Sequence, residues 1–485
     1  VADEEPDLAE TLLADFRSGT GGDPATPAPV TWAGPAETLP ARLPVTALAA
    51  GTVAAAATAA AELAATRTGA APPAVTVHRA AVATAFTSER HLRLDGESPG
   101  SGFAPLSGFW RTRDGWLRTH ANYPHHRRRL LTALDIAPEL DDETAAPLLR
   151  AALAERDADE VAATVTAADG LAVSARTAAQ WARHPQGAAV AELPLLALRR
   201  LADAPARQLQ TPPGDPLRPA AGLRVLDLTR VIAGPVGTRT LALLGADVLR
   251  VDSPQLTEIP AQQLDTGFGK RSTLLDLGQP ADRARFDALL ADADVLVTGY
   301  RPGALARYGL APGDLAERYP GLVVATLSAW STTGPWAQRR GFDSLVQVAS
   351  GIAAAEADPA GDRPGALPAQ ALDHGTGYLL AAAVLRAVAA RHAHGGTWHA
   401  ELSLAQTADW LLAHAAGGAH AAGGADGAGG AHAAGAAPDP APWLAEADAP
   451  IARLRYALPP VRFAGGPVTW AQPPHLLGTD PATWV

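Results

Sequence analysis

The residue with the most chemical promise in this 485-residue chain is Asp373, in ALDHGTGYLLAAAVLRAV, where a carboxylate opens an apolar run with helical spacing. On its own, Asp-x-x-Thr-Gly reads as a helix N-cap. Lys270, Arg271, Arg301 and Arg307 follow apolar runs that read as successive strands. Each alone would be a solvated surface charge. Together, at the carboxyl ends of strands where α/β sheets bind ligands, they suit an anionic ligand. The absence of cysteine excludes disulfides, thiolate nucleophiles and cysteine-held metals. His414, His420 and His432 have irregular spacing in a Gly/Ala tract without carboxylate partners, so no metal site is expected.

The frame for these residues starts at Gly222–Asp252, GLRVLDLTRVIAGPVGTRTLALLGADVLRVD. Leu223 to Leu228 reads as a buried strand, Ala233-Gly234-Pro235 as a turn, Val236 to Leu244 as a helix and Val248 to Val251 as a second strand. This is a right-handed βαβ unit. Its loop lacks the GxGxxG that lets backbone touch a dinucleotide pyrophosphate, so Asp252 alone gives an NAD-dehydrogenase reading little support.

With 47% hydrophobic and 18% charged residues the chain is globular and large enough for two domains. A net charge of -11 argues against nucleic acid or an anionic membrane as partner. The apolar runs are interrupted by charge or Gly/Pro punctuation and the N-terminus is acidic, so no membrane span or leader is expected and the location reads as cytoplasmic. Leu43–Ala85 and Gly377–Leu412 share a helix–turn–strand–helix pattern, and RTGAAPPAVTVHRAAVATAF lies beside RHAHGGTWHAELSLAQTADW as a degenerate internal duplication.

Five blocks in order carry a resemblance to a known family: Arg224–Asp252; GKRSTLLDL; ADVLVTGYRPGALARYGL; LVVATLSAWSTTGPWAQRRGFDSLVQVASGIA; and the Asp373 block. The chain resembles the class III (CaiB/BaiF-type) coenzyme A transferases. The resemblance implies an α/β fold, Rossmann-like with a parallel sheet, plus a smaller α+β domain. It divides the chain into a flexible lead (1–30), a degenerate half-copy including the small domain (31–210), a Rossmann-like CoA-binding catalytic domain (218–412), a Gly/Ala linker (413–440) and a C-terminal return segment (441–485). The small domain stands before the Rossmann-like one, the reverse of the family order.

By the same resemblance Asp373 is the nucleophile, forming an aspartyl anhydride and then an aspartyl-CoA thioester. A carboxylate ionised near pH 4 needs no general base, and a helix beginning near Gly377 would aim N–H groups at the oxyanions. Lys270, Arg271 and Arg307 fall at phosphate or adenine contacts, Ile232 and Ala233 at the pantetheine, and Gly299, Tyr300 and Arg301 on a CoA-contacting stretch. No cofactor is bound permanently; the implied ligands are acyl-CoA and a carboxylic acid. An interlocked homodimer is implied, although the duplicated layout could satisfy both halves within one chain.

Three departures from formyl-CoA transferase, at Ile232, Gly299 and Ser328, point away from formate and oxalate. The related 2-methylacyl-CoA racemases carry a proton-shuttling histidine where this chain has Phe342, so racemisation is the alternative reading, beside a non-catalytic CoA-binding protein. His374 is expected at the solvent or the substrate rim.

Overall fold

The computed structural model describes residues 7–22, 24–100, 102–211, 214–256, 258–415 and 437–485. Its largest sheet among the described residues has seven strands, in the spatial order Arg271–Leu274, Asp247–Asp252, Arg224–Leu228, Val295–Thr298, Val323–Ser328, Thr397–Ser403 and Ala197–Ala202. The first six are parallel and run third, second, first, fourth, fifth, sixth in chain order, the doubly wound arrangement. Their Val/Leu-rich sequences are buried on both faces, as parallel strands between helices must be. The seventh, Ala197–Ala202, comes from the segment expected to form the half-copy and pairs antiparallel at the edge.

The smaller domain is a three-stranded antiparallel sheet, Phe109–Arg111, Trp116–Thr119 and Ala172–Ser174, with helices Pro124–Ala133, Asp142–Ala154 and Ala158–Ala167. Leu117, Leu130, Leu149, Leu153, Val161 and Val165 form its own core.

The two copies of the repeated pattern are helix Val45–Thr68, strand Val75–His78, helix Arg79–Phe86 and helix Ala371–His394, strand Thr397–Ser403, helix Leu404–Ala415. Their long helices pack on each other. Strand Val75–His78 pairs with Val30–Ala33 and bridges at Val75 to Phe463 of the C-terminal segment, whereas its counterpart joins the large sheet. Arg67 and Arg391 occupy matching places near the helix ends; Arg67 donates to the carbonyls of Pro219 (2.6 Å) and Ala221 (2.9 Å), Arg391 to that of Gly321 (3.0 Å). The same offset sets Ala49 opposite Asp373, so the first copy has no carboxylate at that place.

Two expectations are corrected here. Residues 8–19 of the lead form helix Leu8–Gly19, whose Leu12, Leu13 and Phe16 are buried against Val45–Thr68, because the LAETLLADF spacing gives it an apolar face. Helix Val45–Thr68 is itself long and apolar enough to cross a membrane, but 89% of its apolar window is buried inside the protein. Of the Gly/Ala linker, residues 416–436, with His420 and His432, lie outside the described residues. His414 hydrogen-bonds to the Trp410 carbonyl at 2.8 Å. In the C-terminal segment, Trp470 donates to the Arg239 carbonyl (3.0 Å) and Trp484 to that of Leu289 (3.0 Å), both in the large domain.

Candidate active site

Leu228 and Thr298 sit opposite each other at the carboxyl ends of neighbouring strands, at the point where the strand order reverses. The loops that follow part there and open a cleft, the usual ligand site of such sheets. The first loop is held from beneath. Asp227, wholly buried, accepts from the Thr229 N–H (3.0 Å), the Thr238 hydroxyl (2.5 Å) and Lys270 Nζ (3.1 Å), and Lys270 also donates to the Pro235 carbonyl (2.9 Å). Val231 is bent to φ +70°, rare for a β-branched residue, and its N–H lies 3.4 Å from Glu258 Oε2. Gly234 is obligatory, since a Cβ there would stand 2.3 Å from that of Thr229.

Helix Ala233–Leu243 then crosses helix Ala371–His394 backbone to backbone. A Cβ on Gly377 would lie 2.4 Å from the Ala233 carbonyl oxygen, and one on Gly237 would lie 2.9 Å from that of Gly377. This close crossing draws the first loop against the turn that carries Asp373. Asp373 lies inside that helix, in its first turn, rather than ahead of a helix beginning near Gly377. Its N–H donates to Asp343 Oδ2 (2.9 Å), the residue that opens helix Asp343–Ser350, and Gln347 donates to Asp343 Oδ1. The Asp373 N–H is therefore spent on Asp343 and that of His374 on the Gln370 carbonyl, so these two do not face an oxyanion as expected. The donors to Asp343 favour its carboxylate, yet burial outweighs them and raises its pKa to about 6. Burial, and then the adjacent Asp343 charge, push the Asp373 carboxyl well above the ordinary range, so it is not the freely ionised group the sequence suggested.

The cleft has a volume of about 540 Å³ and is lined by Asp373, Ala233, Gly299, Tyr300, Arg301 and Arg307 among the sequence-predicted residues. Arg301 and Arg307 are exposed; Arg301 lies 3.4 Å from the Gln338 carbonyl and Arg307 4.7 Å over the Tyr308 ring, and neither is paired with a carboxylate among the described residues. Ile232, Lys270 and Arg271 do not line it. Ile232 is buried in the main core. Lys270 is 2% exposed, and its ammonium is turned into the strand–helix interface by Asp227; burial lowers its pKa to about 8 despite that partner. Arg271 is drawn to Asp247 (2.8 Å) and the Thr483 carbonyl (2.6 Å), which fasten the chain's tail. His374 is also corrected: it is 1% exposed and stacked on Phe86 at 5.2 Å, facing the interior.

The small domain supplies residues that the sequence reading did not assign. Tyr123, His125, His126 and Arg129, from NYPHHRRR, line the cleft, as do Arg230, Arg339, Arg340 and Phe342. The Tyr123 hydroxyl donates to Glu258 Oε1 (2.9 Å), while Glu258 Oε2 accepts from Arg250 (2.9 Å). Burial works against the Glu258 charge, but Arg250 and Arg230 hold its pKa below the usual range. That carboxylate thus clamps the small domain to the first loop. Asp252 is buried in a two-bond pair with Arg250 (2.7 and 2.9 Å), so it is not free to take a ribose. The signal for the missed residues was the crowding of imidazoles and arginines just after a strand, in a domain whose placement beside the sheet depends on distant pairing.

Among characterised proteins the chain is 35% identical over 205 residues to the acetyl-coenzyme A transferase nodX of Hypoxylon pulicicidum, covering 41% of this chain and 35% of that protein. It is 34% identical over 197 residues to a probable fatty acyl-CoA transferase of Mycobacterium tuberculosis, covering 38% and 50%, and 33% identical over 217 residues to the acetyl-CoA:oxalate CoA-transferase of Acetobacter aceti, covering 42% and 56%. The chain thus spans about a third to just over half the length of these relatives. A solved CAIB/BAIF family protein from Brucella suis is 30% identical, covers 43% of this chain and 59% of its own, and has a TM-score of 0.39, too low to bear on the fold. The sequence model of CoA-transferase family III matches residues 28–209 and 220–441, most of the chain and both sides of the duplication. With the blocks around the cleft inside that match, the chain belongs to CoA-transferase family III.

Proposed function

We propose that the chain moves coenzyme A from an acyl-CoA to a carboxylic acid, with Asp373 as the nucleophile. The observation that carries this reading is the Asp373 carboxyl, 7% exposed, in a helical first turn at the switch-point cleft, with arginines along the cleft wall. Once ionised, Asp373 attacks the thioester carbonyl carbon, the C–S bond breaks, and CoA thiolate leaves an aspartyl-acyl anhydride. The thiolate attacks the aspartyl carbonyl, freeing the donor acid and forming an aspartyl-CoA thioester. The acceptor carboxylate attacks that thioester, releasing CoA thiolate and forming a second anhydride. The thiolate then takes the acceptor's acyl group, and Asp373 is regenerated. A carboxyl with a raised pKa is the better nucleophile when it ionises, and closure over the ligand would keep water from the anhydride. The N-terminus of helix Ala233–Leu243, uncapped by a side chain, supports an anionic group over the first loop. Arg301 and Arg307 suit the CoA phosphates.

Intact-protein mass after incubation with a panel of acyl-CoAs tests this. A CoA-sized adduct, labile to hydroxylamine and absent from Asp373→Ala, is the expected result. CoA binding without any adduct, for every donor, would remove the transferase reading.

A further inference from the structure

The part of the cleft beside the aspartate pair is walled by rings. Phe342, the residue before Asp343, stacks on His120 of the small domain with centroids 3.8 Å apart and planes 6° apart. His126 meets Phe342 edge-on at 5.9 Å, and Tyr123 lies 6.3 Å from it. His120, His126 and Tyr123 are all at least nine-tenths buried. Burial lowers the imidazoles to about 3 for His120 and about 2 for His126, so both are neutral near pH 7. The His126 ring lines the cleft, while its Nδ1 is buried without a hydrogen-bond partner, so the imidazole offers the cleft no charge. Leu327 and Leu404 extend the apolar lining.

The cations that border this wall already have protein partners, Arg339 among them, its guanidinium 4.6 Å over the Trp336 ring. Arg230 lies 5.4 Å over the Tyr123 ring and 3.5 Å from Glu258. Arg340 pairs with Asp169 at 2.6 Å, and Arg129 donates to the Asp169 carbonyl at 3.3 Å. Arg118, behind the wall, is buried against Phe103 and Phe109. A second carboxylate on the acyl group would lose its water here, meet neutral rings and approach the charge on Asp343. An uncharged acyl group would bury apolar surface against these rings. Arg301 and Arg307, to which the transferase reading gives the CoA phosphates, border the cleft in the segment after strand Val295–Thr298.

Resting on the transferase reading, we propose that the acyl substrates are monocarboxylic, uncharged beyond the thioester, and that Phe342 and His126 set this selectivity. The test compares butyryl-CoA and isobutyryl-CoA with succinyl-CoA and malonyl-CoA as donors to the wild-type chain, by Asp373-dependent adduct formation and kcat/KM. The expected preference for the uncharged donors is about 100-fold. Phe342→Arg and His126→Arg, each checked for folding by thermal melting, should narrow that ratio about tenfold by raising the rate with succinyl-CoA. An adduct formed at least as fast from succinyl-CoA or malonyl-CoA in the wild type would overturn the inference and leave the transferase reading intact. No adduct from any donor would overturn the transferase reading and this inference with it. Loss of α-proton exchange in heavy water on His126→Phe would also overturn it, by making His126 a base.

Discussion

The main-chain N–H of Asp373 donates to Oδ2 of Asp343 across 2.9 Å, so the helix that carries one buried carboxyl is capped by the other. The charge on Asp343 in turn opposes ionisation of the Asp373 carboxyl. On the proposed mechanism Asp373, its carboxyl raised by burial and by Asp343, must lose its proton before it can attack.

That order fixes a pH dependence. The acidic limb of kcat/KM should lie above the ordinary carboxylate range of about pH 4, because the pair titrates as a unit with Asp373 raised. In Asp343→Asn the amide oxygen still accepts the Asp373 N–H, but the like charge is gone. The limb should therefore move to lower pH; a limb that stays in place would show that Asp373 is not the titrating group.

The same pair should cost stability. Because the folded-state pKa of Asp373 exceeds its unfolded value, stability is fully present below about pH 4 and is lost as the pH rises through the raised value. Asp373→Asn removes the titration. Its melting temperature should match the wild type near pH 4 and exceed it at pH 8, by on the order of 1 kcal/mol in stability. Equal melting at both pH values would contradict the burial.

Lys270 and Arg307 were grouped by the sequence as ligand contacts, and the fold separates them. Lys270→Met should destabilise the protein by about 3–5 kcal/mol, by leaving Asp227 buried without its counter-charge, and adding Asp227→Asn should restore part of the loss. Chemical denaturation reads this directly. A phosphate contact would instead weaken CoA binding and leave the denaturation midpoint alone.

Arg307→Gln should leave the denaturation midpoint unchanged and raise KM for acyl-CoA about tenfold, with weaker salt dependence. Arg271→Gln, whose side chain is held by Asp247 and the tail, should leave KM alone. Equal effects at both positions would put the phosphates elsewhere.

Much of the frame was legible because it is written locally. The strand–turn–helix from Leu223 to Leu244 and the repeated helix–strand–helix units follow from apolar period and Gly/Pro punctuation. Asp373 was found through the resemblance, since its own neighbourhood reads as a cap. What the sequence hid depends on pairing at a distance. Which way Lys270 points is decided by Asp227, 43 positions away, and nothing in GKRS distinguishes it from its neighbour. Tyr123 and His126 reach the cleft because distant contacts, Tyr123 with Glu258 and Asp169 with Arg340, hold the small domain there. The helix of residues 8–19 went unread because a polar, punctuated lead surrounds a single short apolar face.

The crossing at Gly377 gives the most direct test of how the site is assembled. Alanine there would place Cβ 2.4 Å from the Ala233 carbonyl oxygen and 2.9 Å from Val236 Cβ, and backbone cannot yield as a flexible side chain does. The two helices must part, carrying the first loop away from Asp373. Overpacking of this kind costs about 1–3 kcal/mol, so Gly377→Ala should lower the melting temperature. It should also lower kcat/KM more than stability alone explains, measured well below the melting transition. Gly313→Ala is the contrast: that glycine lies in helix Pro312–Arg318 with nothing within 4 Å of the added Cβ, and the change should be neutral or stabilise by up to about 1 kcal/mol through helix propensity. If Gly377→Ala behaved like Gly313→Ala, the helices would not be in backbone contact, and the approach of the first loop to Asp373 would need another cause.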